Sequence, residues 1–202
     1  MNIVFENENL IAVDKPHGWL TTPARSADDP RPCLGRELQA AVGSQVYPVH
    51  RLDFEVGGLV LFARTAQAHR VAQGWFERAE VVKTYCAWSD GSGGPGDWVE
   101  WRSKLVRGKK RTFEAAHGLA SVTRARVVGA TASALCWELQ PVTGRPHQLR
   151  VEMAKHGYAI QGDLLYGGRD VGRPGWMALR AVRLDFPADR LGLPSSLVAE
   201  GL

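Results

Sequence analysis

The sequence predicts a single α+β domain spanning residues 1–202. Three observations point there. Short strand-like runs outnumber the two or three helical periodicities, no linker long enough to divide domains interrupts them, and no internal repeat appears.

The elements follow in chain order. Residues 3–23 read as short strands broken at Glu6-Asn7-Glu8 and at Lys15-Pro16-His17-Gly18, both turn-like. Leu34, Leu38 and Val42 recur every four positions before Gly43, predicting a short amphipathic helix with a C-terminal stop. Residues 46–52 predict a strand that ends at Asp53, and 59–63 a nearly all-apolar second strand. Thr65 is placed to cap a helix over 66–79, with Ala68, Val71, Ala72, Trp75 and Phe76 on its buried side. Strands are expected at 81–88, 98–105, 121–129, 133–141 and 176–186. Residues 143–157 predict a helix with Thr143 near its cap, Pro146 near N1 and Gly157 at its stop. The glycine run at 91–96 matches GxGxxG literally. Pro95 precedes its last glycine and a strand-like DWVEW follows, where a dinucleotide site needs a helix, so a loop is expected.

Composition narrows the class. With 45% hydrophobic and 23% charged residues, the chain has an ordinary globular profile. Its longest apolar run, LVLFA, is far too short to span a bilayer, and the acidic start lacks the pattern of a signal peptide, so a cytoplasmic location is expected. Cys33, Cys86 and Cys136 are odd in number and widely spaced, which argues against a disulfide framework and against zinc. The net charge is +4, but residues 101–126 carry Arg102, Lys104, Arg107, Lys109, Lys110, Arg111, Arg124 and Arg126 against the single acid Glu114. Such clustering suits a polyanion binder, or equally a solvated basic pair of strands.

Three polar segments stand out: HRLD (50–53), KTY (83–85) and GRPHQLR (144–150). A carboxylate acting as nucleophile or base needs a cation to stay ionised in a dry pocket. Arg150, early in its predicted helix, lies near the positive end of the dipole. Each residue also has a plain structural reading: Asp53 capping a turn, Tyr85 as a core tyrosine, Arg150 on the surface.

DKPHG (14–18), HRLD followed by GGL, KTY, TGRPHQLR and GDLLYG (162–167) occur in an order that resembles the RluA-type RNA pseudouridine synthases, over residues 8–187. The resemblance implies isomerisation of a uridine in ribosomal or transfer RNA without metal or cofactor. It also implies a mixed, mostly antiparallel sheet with flanking helices around a central cleft. Asp53 is the implied essential residue, Tyr85 stacks under the target base, and Arg150 is the aspartate's ion-pair partner. Arg51 contacts RNA and fills the space a flipped base leaves. Lys15, Lys83, Arg145 and His147 of the motifs, with Lys109, Lys110 and Arg111 of the basic stretch, are the further expected RNA contacts. A compact, catalytic-domain-only monomer without an S4-like module is expected.

The chain departs from the family pattern in places. Val56-Gly57-Gly58 stands where Thr-Ser-Gly is usual, Glu152 where histidine is usual, and Leu179-Arg180-Ala181 where Leu-His-Ala is usual; a proline usual near Ala159 is missing. These departures suggest a retuned substrate, and they keep open a non-catalytic RNA-binding or RNA-folding protein that retains the fold. A glycosidase using Asp53 with Glu55 is the third reading. A zinc deaminase is excluded, because HxE with a downstream PCxxC is not present.

Overall fold

A computed structural model describes residues 1–26, 28–188, 190–199 and 201. The elements run β1 (Asn2–Glu6), β2 (Leu10–Lys15), α1 (Leu34–Val42), β3 (Tyr47–Pro48), β4 (Gly57–Ala63), α2 (Ala66–Glu77), β5 (Val82–Asp90) and β6 (Val99–Arg107). They continue with β7 (Thr112–Glu114), β8 (Leu119–Ala130), β9 (Ala134–Pro141), α3 (Gln148–Lys155), a 3₁₀ turn (Leu164–Tyr166), β10 (Leu179–Asp185) and β11 (Ser196–Val198). The chain forms two compact units, Met1–Val82 with Arg180–Gly201, and Lys83–Leu179. No helix among the described residues is long and apolar enough to cross a membrane.

In the first unit the sheet runs β1-β2-β4-β10, with β3 on β4 and β11 on β10. All pairs are antiparallel except β4 with β10, which is parallel at Arg180↔Gly57 and Ala181↔Gly58. Every residue of β4 is buried, as a strand covered on both faces must be. Leu59 and Leu61 join Leu10, Ala12 and the α2 residues Ala68, Ala72 and Trp75 in one apolar cluster. Phe62, on the alternate face, lies against Gly35 of α1. Each such fully buried side chain contributes about 1.5–3 kcal/mol. Thr65 caps α2 as expected, accepting from Ala68 N at 3.1 Å. Val71 is an exception to the expected buried face and is exposed.

The predicted strand at 46–52 is only two residues long. Past Pro48, Val49 N still donates to Leu61 O at 2.9 Å, but the return bond goes to a side chain: Leu61 N donates to His50 Nε2 at 3.1 Å in place of a main-chain carbonyl. Asp53 therefore sits on an irregular segment and not at a strand's end.

In the second unit the antiparallel order is β5-β9-β8-β6-β7. Trp137, fully buried on β9, donates from Nε1 to Ser89 at 2.9 Å. The glycine run at 91–96 is a loop, as read. β7 and β11 were not legible in the sequence. The helix expected over 143–157 begins only at Gln148, because His147 takes a left-handed conformation (φ 54°). Pro146 lies ahead of it, and Thr143 binds the Gln148 side chain at 2.7 Å in place of capping the backbone.

Candidate active site and nucleic-acid interface

Asp53 is half-buried on a segment whose backbone is fixed on both sides. Before it, the Thr21 hydroxyl donates to Leu52 O at 3.1 Å and accepts from Leu52 N at 3.2 Å. After it, Phe54 O accepts from Gly18 N at 3.0 Å and from Lys15 Nζ at 3.2 Å. Glu55 O accepts from His17 Nδ1 at 2.7 Å, so that nitrogen carries the proton. Burial, chiefly, lowers the His17 pKa and favours the neutral ring. An irregular loop is thereby given the positional precision of a strand.

Lys15 is a correction. Expected to face RNA, it is 0% exposed. Its three ammonium donors go to the carbonyls of Pro16 (3.0 Å), Trp19 (2.7 Å) and Phe54. Burial pushes its pKa down to about 7, against the upward pull of the Asp53 and Glu55 charges. The DKPHG motif is a brace for the Asp53 segment, and Lys15 is its internal strut. Arg51, by contrast, is exposed.

Gly57 and Gly58 open β4 beside β10. Gly58 has φ +107°, and a Cβ there would collide with the Ala181 backbone. A Cβ on Gly57 would lie 2.7 Å from His17 Nε2 and 3.0 Å from an Arg180 guanidinium nitrogen. Arg180 is held by Asp14, with both side chains largely buried. Two departures from the family pattern, Gly57 and Arg180, thus pack against each other: the missing side chain makes room for the guanidinium.

In the second unit, Tyr85 lies half-buried on β5 opposite Leu139. Lys83, two residues earlier, is half-buried, and burial lowers its pKa. Arg150 is 4% exposed in the first turn of α3, where a cation opposes the helix dipole. Asp163, 1% exposed, offsets this with a two-pronged bond: Arg150 Nε donates to Oδ2 at 2.8 Å and Nη2 to Oδ1 at 2.7 Å. The Tyr166 ring lies 5.3 Å from the same guanidinium. Glu152, another departure, is fully buried and accepts a bond from the Ser103 hydroxyl.

The basic stretch divides in two. On the sheet, Arg102 pairs with Glu100 at 2.5 Å and Arg126 with Glu138 at 2.5 Å, while Arg124 and Arg126 lie over the Trp98 ring at 4.9 and 4.6 Å. Counting charges along the chain could not see Glu138, which arrives from β9. Lys109, Lys110 and Arg111 form the exposed tip of the β6–β7 hairpin, closed by Gly108 N donating to Arg111 O at 3.0 Å. No acidic partner of these three occurs among the described residues. Arg145 is half-buried, its Nε donating to Ala120 O at 2.9 Å. His147 lies between Arg107 (3.1 Å) and the Tyr166 hydroxyl (2.9 Å). Asp163 and Tyr166 were missed as site residues, although both stand in the GDLLYG run that was noted. No cluster of three metal-ligating side chains occurs among the described residues.

The chain resembles known proteins throughout this framework. The sequence model of the RNA pseudouridylate synthase family matches residues 9–155. Ribosomal large subunit pseudouridine synthase D of Zymomonas mobilis is 32% identical over 179 residues, 83% of this chain and 56% of that protein, so the chain spans little more than half that relative's length. tRNA pseudouridine synthase C of Yersinia pestis is 28% identical over 216 residues, covering 100% of this chain and 84% of the relative. The solved structure of human RNA pseudouridylate synthase domain containing 4 superposes with a TM-score of 0.77 at 24% identity, covering 100% of this chain and 88% of that one, and shows the same fold. With the family's pattern matched across most of its length and the fold shared, the chain belongs to the RNA pseudouridylate synthase family.

Proposed function

We propose that this chain is an RNA pseudouridine synthase acting on a uridine in ribosomal or transfer RNA. In the reaction the N1–C1′ glycosidic bond breaks, the uracil turns, and C5 joins C1′. The C5 hydrogen leaves and N1 takes a proton, so atoms balance with no redox partner or cofactor. Asp53 acts as the nucleophile or as the base that removes a sugar proton. Tyr85 stacks under the base, and Arg150 supplies balancing positive charge. The observation that carries this reading is the fixed backbone on each side of Asp53, in a chain whose family match includes that segment. Extruding a base costs a few kcal/mol, which Arg51 and an aromatic platform offset in part.

Arg51, Lys83, Arg145, His147, Lys109, Lys110 and Arg111 are the proposed RNA contacts. Those at the hairpin tip bind phosphate with salt-sensitive, sequence-tolerant affinity. Single-stranded loops, whose bases unstack readily, are the favoured targets. The family match runs through residues of both units, which supports reading 1–202 as one catalytic domain. A cytoplasmic monomer completes the proposal.

The test is tritium release from RNA labelled at uridine C5. Wild-type protein releases tritium from bulk ribosomal or transfer RNA, and Asp53→Ala reduces release to background. Equal background release by both proteins on every stable RNA overturns the enzymatic reading.

A further inference from the structure

One phenol in the second unit makes three polar contacts and one ring contact. Tyr166 Oη accepts from Thr112 N at 2.7 Å and donates to Thr112 O at 3.1 Å. His147 Nδ1 lies 2.9 Å from the same oxygen, and Arg107 Nη1 lies 3.1 Å from His147 Nε2. One proton arrangement satisfies the phenol's contacts and the shorter Arg107 contact, Nη1 lying 3.5 Å from His147 Nδ1 and nearer Nε2. Arginine only donates, so Nε2 accepts and Nδ1 carries the hydrogen. Tyr166 then accepts twice and passes its own proton to Thr112 O. Burial, chiefly, raises the pKa of the Tyr166 phenol, keeping that proton in place.

Thr112 is the first residue of β7 and follows Arg111 directly, so the bonds to its N–H and C=O set the base of the Lys109–Arg111 hairpin tip. The face of the Tyr166 ring meets the Arg150 guanidinium, and Asp163, which holds Arg150 with two bonds, opens the 3₁₀ turn that carries Tyr166. Hairpin, phenol and arginine are consecutive members of one packed series. A tyrosine serving only to fill space would satisfy the ring contact alone.

We propose that Tyr166 is a positioning residue that couples RNA engagement at the hairpin tip to the setting of Arg150. This rests on the isomerase reading for its catalytic consequence, but its mechanical part stands apart from it. RNA phosphate drawn onto Lys109, Lys110 and Arg111 loads the hairpin. The load passes through Thr112 to the phenol and onward to the guanidinium.

Four proteins test it: wild type, Tyr166→Phe, a tip variant with Lys109, Lys110 and Arg111 each changed to Ser, and the combination. Tyr166→Phe keeps the ring over Arg150 and removes only the hydroxyl. The tip variant binds a uridine-containing RNA stem-loop at least tenfold more weakly. Its salt slope falls by about 2, from three lost phosphate contacts at roughly 0.7 each. At saturating RNA the tip variant and Tyr166→Phe each slow single-turnover tritium release by about tenfold. The combination is no slower than Tyr166→Phe alone, because both changes break the same link. Multiplying effects, or a wild-type rate and wild-type Thr112 amide exchange in Tyr166→Phe, overturn the proposal.

A readout free of catalysis separates the two ideas. Binding of the stem-loop shifts the Arg150 Nε–H resonance in wild type and leaves it in place in Tyr166→Phe. If wild type releases no tritium yet shows that Tyr166-dependent shift, the isomerase reading falls and the coupling stands. If the shift persists in Tyr166→Phe, or is absent in wild type, the coupling falls.

Discussion

The segment around Asp53 and the helix start that carries Arg150 are immobilised in opposite ways. Around Asp53 the chain itself is gripped: Thr21, Gly18, Lys15 and His17 all bind main-chain atoms of Leu52, Phe54 and Glu55. Around Arg150 the side chain is gripped, by a buried carboxylate below and an aromatic face beside it. The difference teaches where charge is tolerated. Asp53, on its main-chain brace, is half-buried, whereas the nearly inaccessible Arg150 guanidinium has a full countercharge buried with it.

The contrast predicts that removing a partner hurts most where the partner is a charge. Asp163→Ala removes the buried carboxylate that takes two bonds from Arg150 and is expected to cost about 3–5 kcal/mol in urea denaturation. A loss below about 1 kcal/mol would show that the guanidinium escapes to solvent and would erase the contrast.

Lys15→Met comes next: near pH 9 the buried lysine is a neutral amine with two N–H donors, and taking them from the main-chain carbonyls around it is expected to cost about 2–3 kcal/mol. The wild-type protein adds a pH signature. Lys15 titrates near 7 when folded but near 10.5 when unfolded, so between those values the unfolded chain binds more protons. Stability therefore rises with pH through that window, by about 1.4 kcal/mol per unit from this group, and this contribution is flat below it. Denaturation at pH 7 and 9 is expected to show a rise that Lys15→Met lacks; parallel profiles for the two proteins would contradict it.

The smallest effect concerns Gly57. An alanine there meets His17 and Arg180 and is expected to cost about 1–2 kcal/mol. In an Arg180→Ala background the cost is expected to shrink by at least 0.5 kcal/mol, the coupling energy of neighbours. Additive changes would mean that the two residues do not share that space.

Strand and helix periodicities were legible wherever burial is one-sided or complete. α1 with its glycine stop, α2 with its Thr65 cap and the apolar β4 all stand where pattern placed them. The site was legible as motifs but not as roles. Lys15 reads as a phosphate-seeking cation and is a buried strut, because its acceptors, Trp19 O and Phe54 O among them, come together only in the fold. Glu152 reads as one of the departures that suggest a retuned substrate and is an interior acid bonded to Ser103. Short β7 and β11 carry too few residues for a periodic signal, and the strand expected at 46–52 yields to a histidine side chain that takes over a main-chain partner.

By itself the sequence determined the α+β class, the family and the order of the motifs, since periodicity and residue type are local properties of the chain. Only the tertiary structure decided which charges are paired. Glu138 reaches Arg126 across a strand pair, Asp163 reaches Arg150 from beyond its helix, and Asp14 meets Arg180 from 166 residues away. Charge pairing acts over a few ångströms in space whatever the separation along the chain, so no pattern within a segment encodes it.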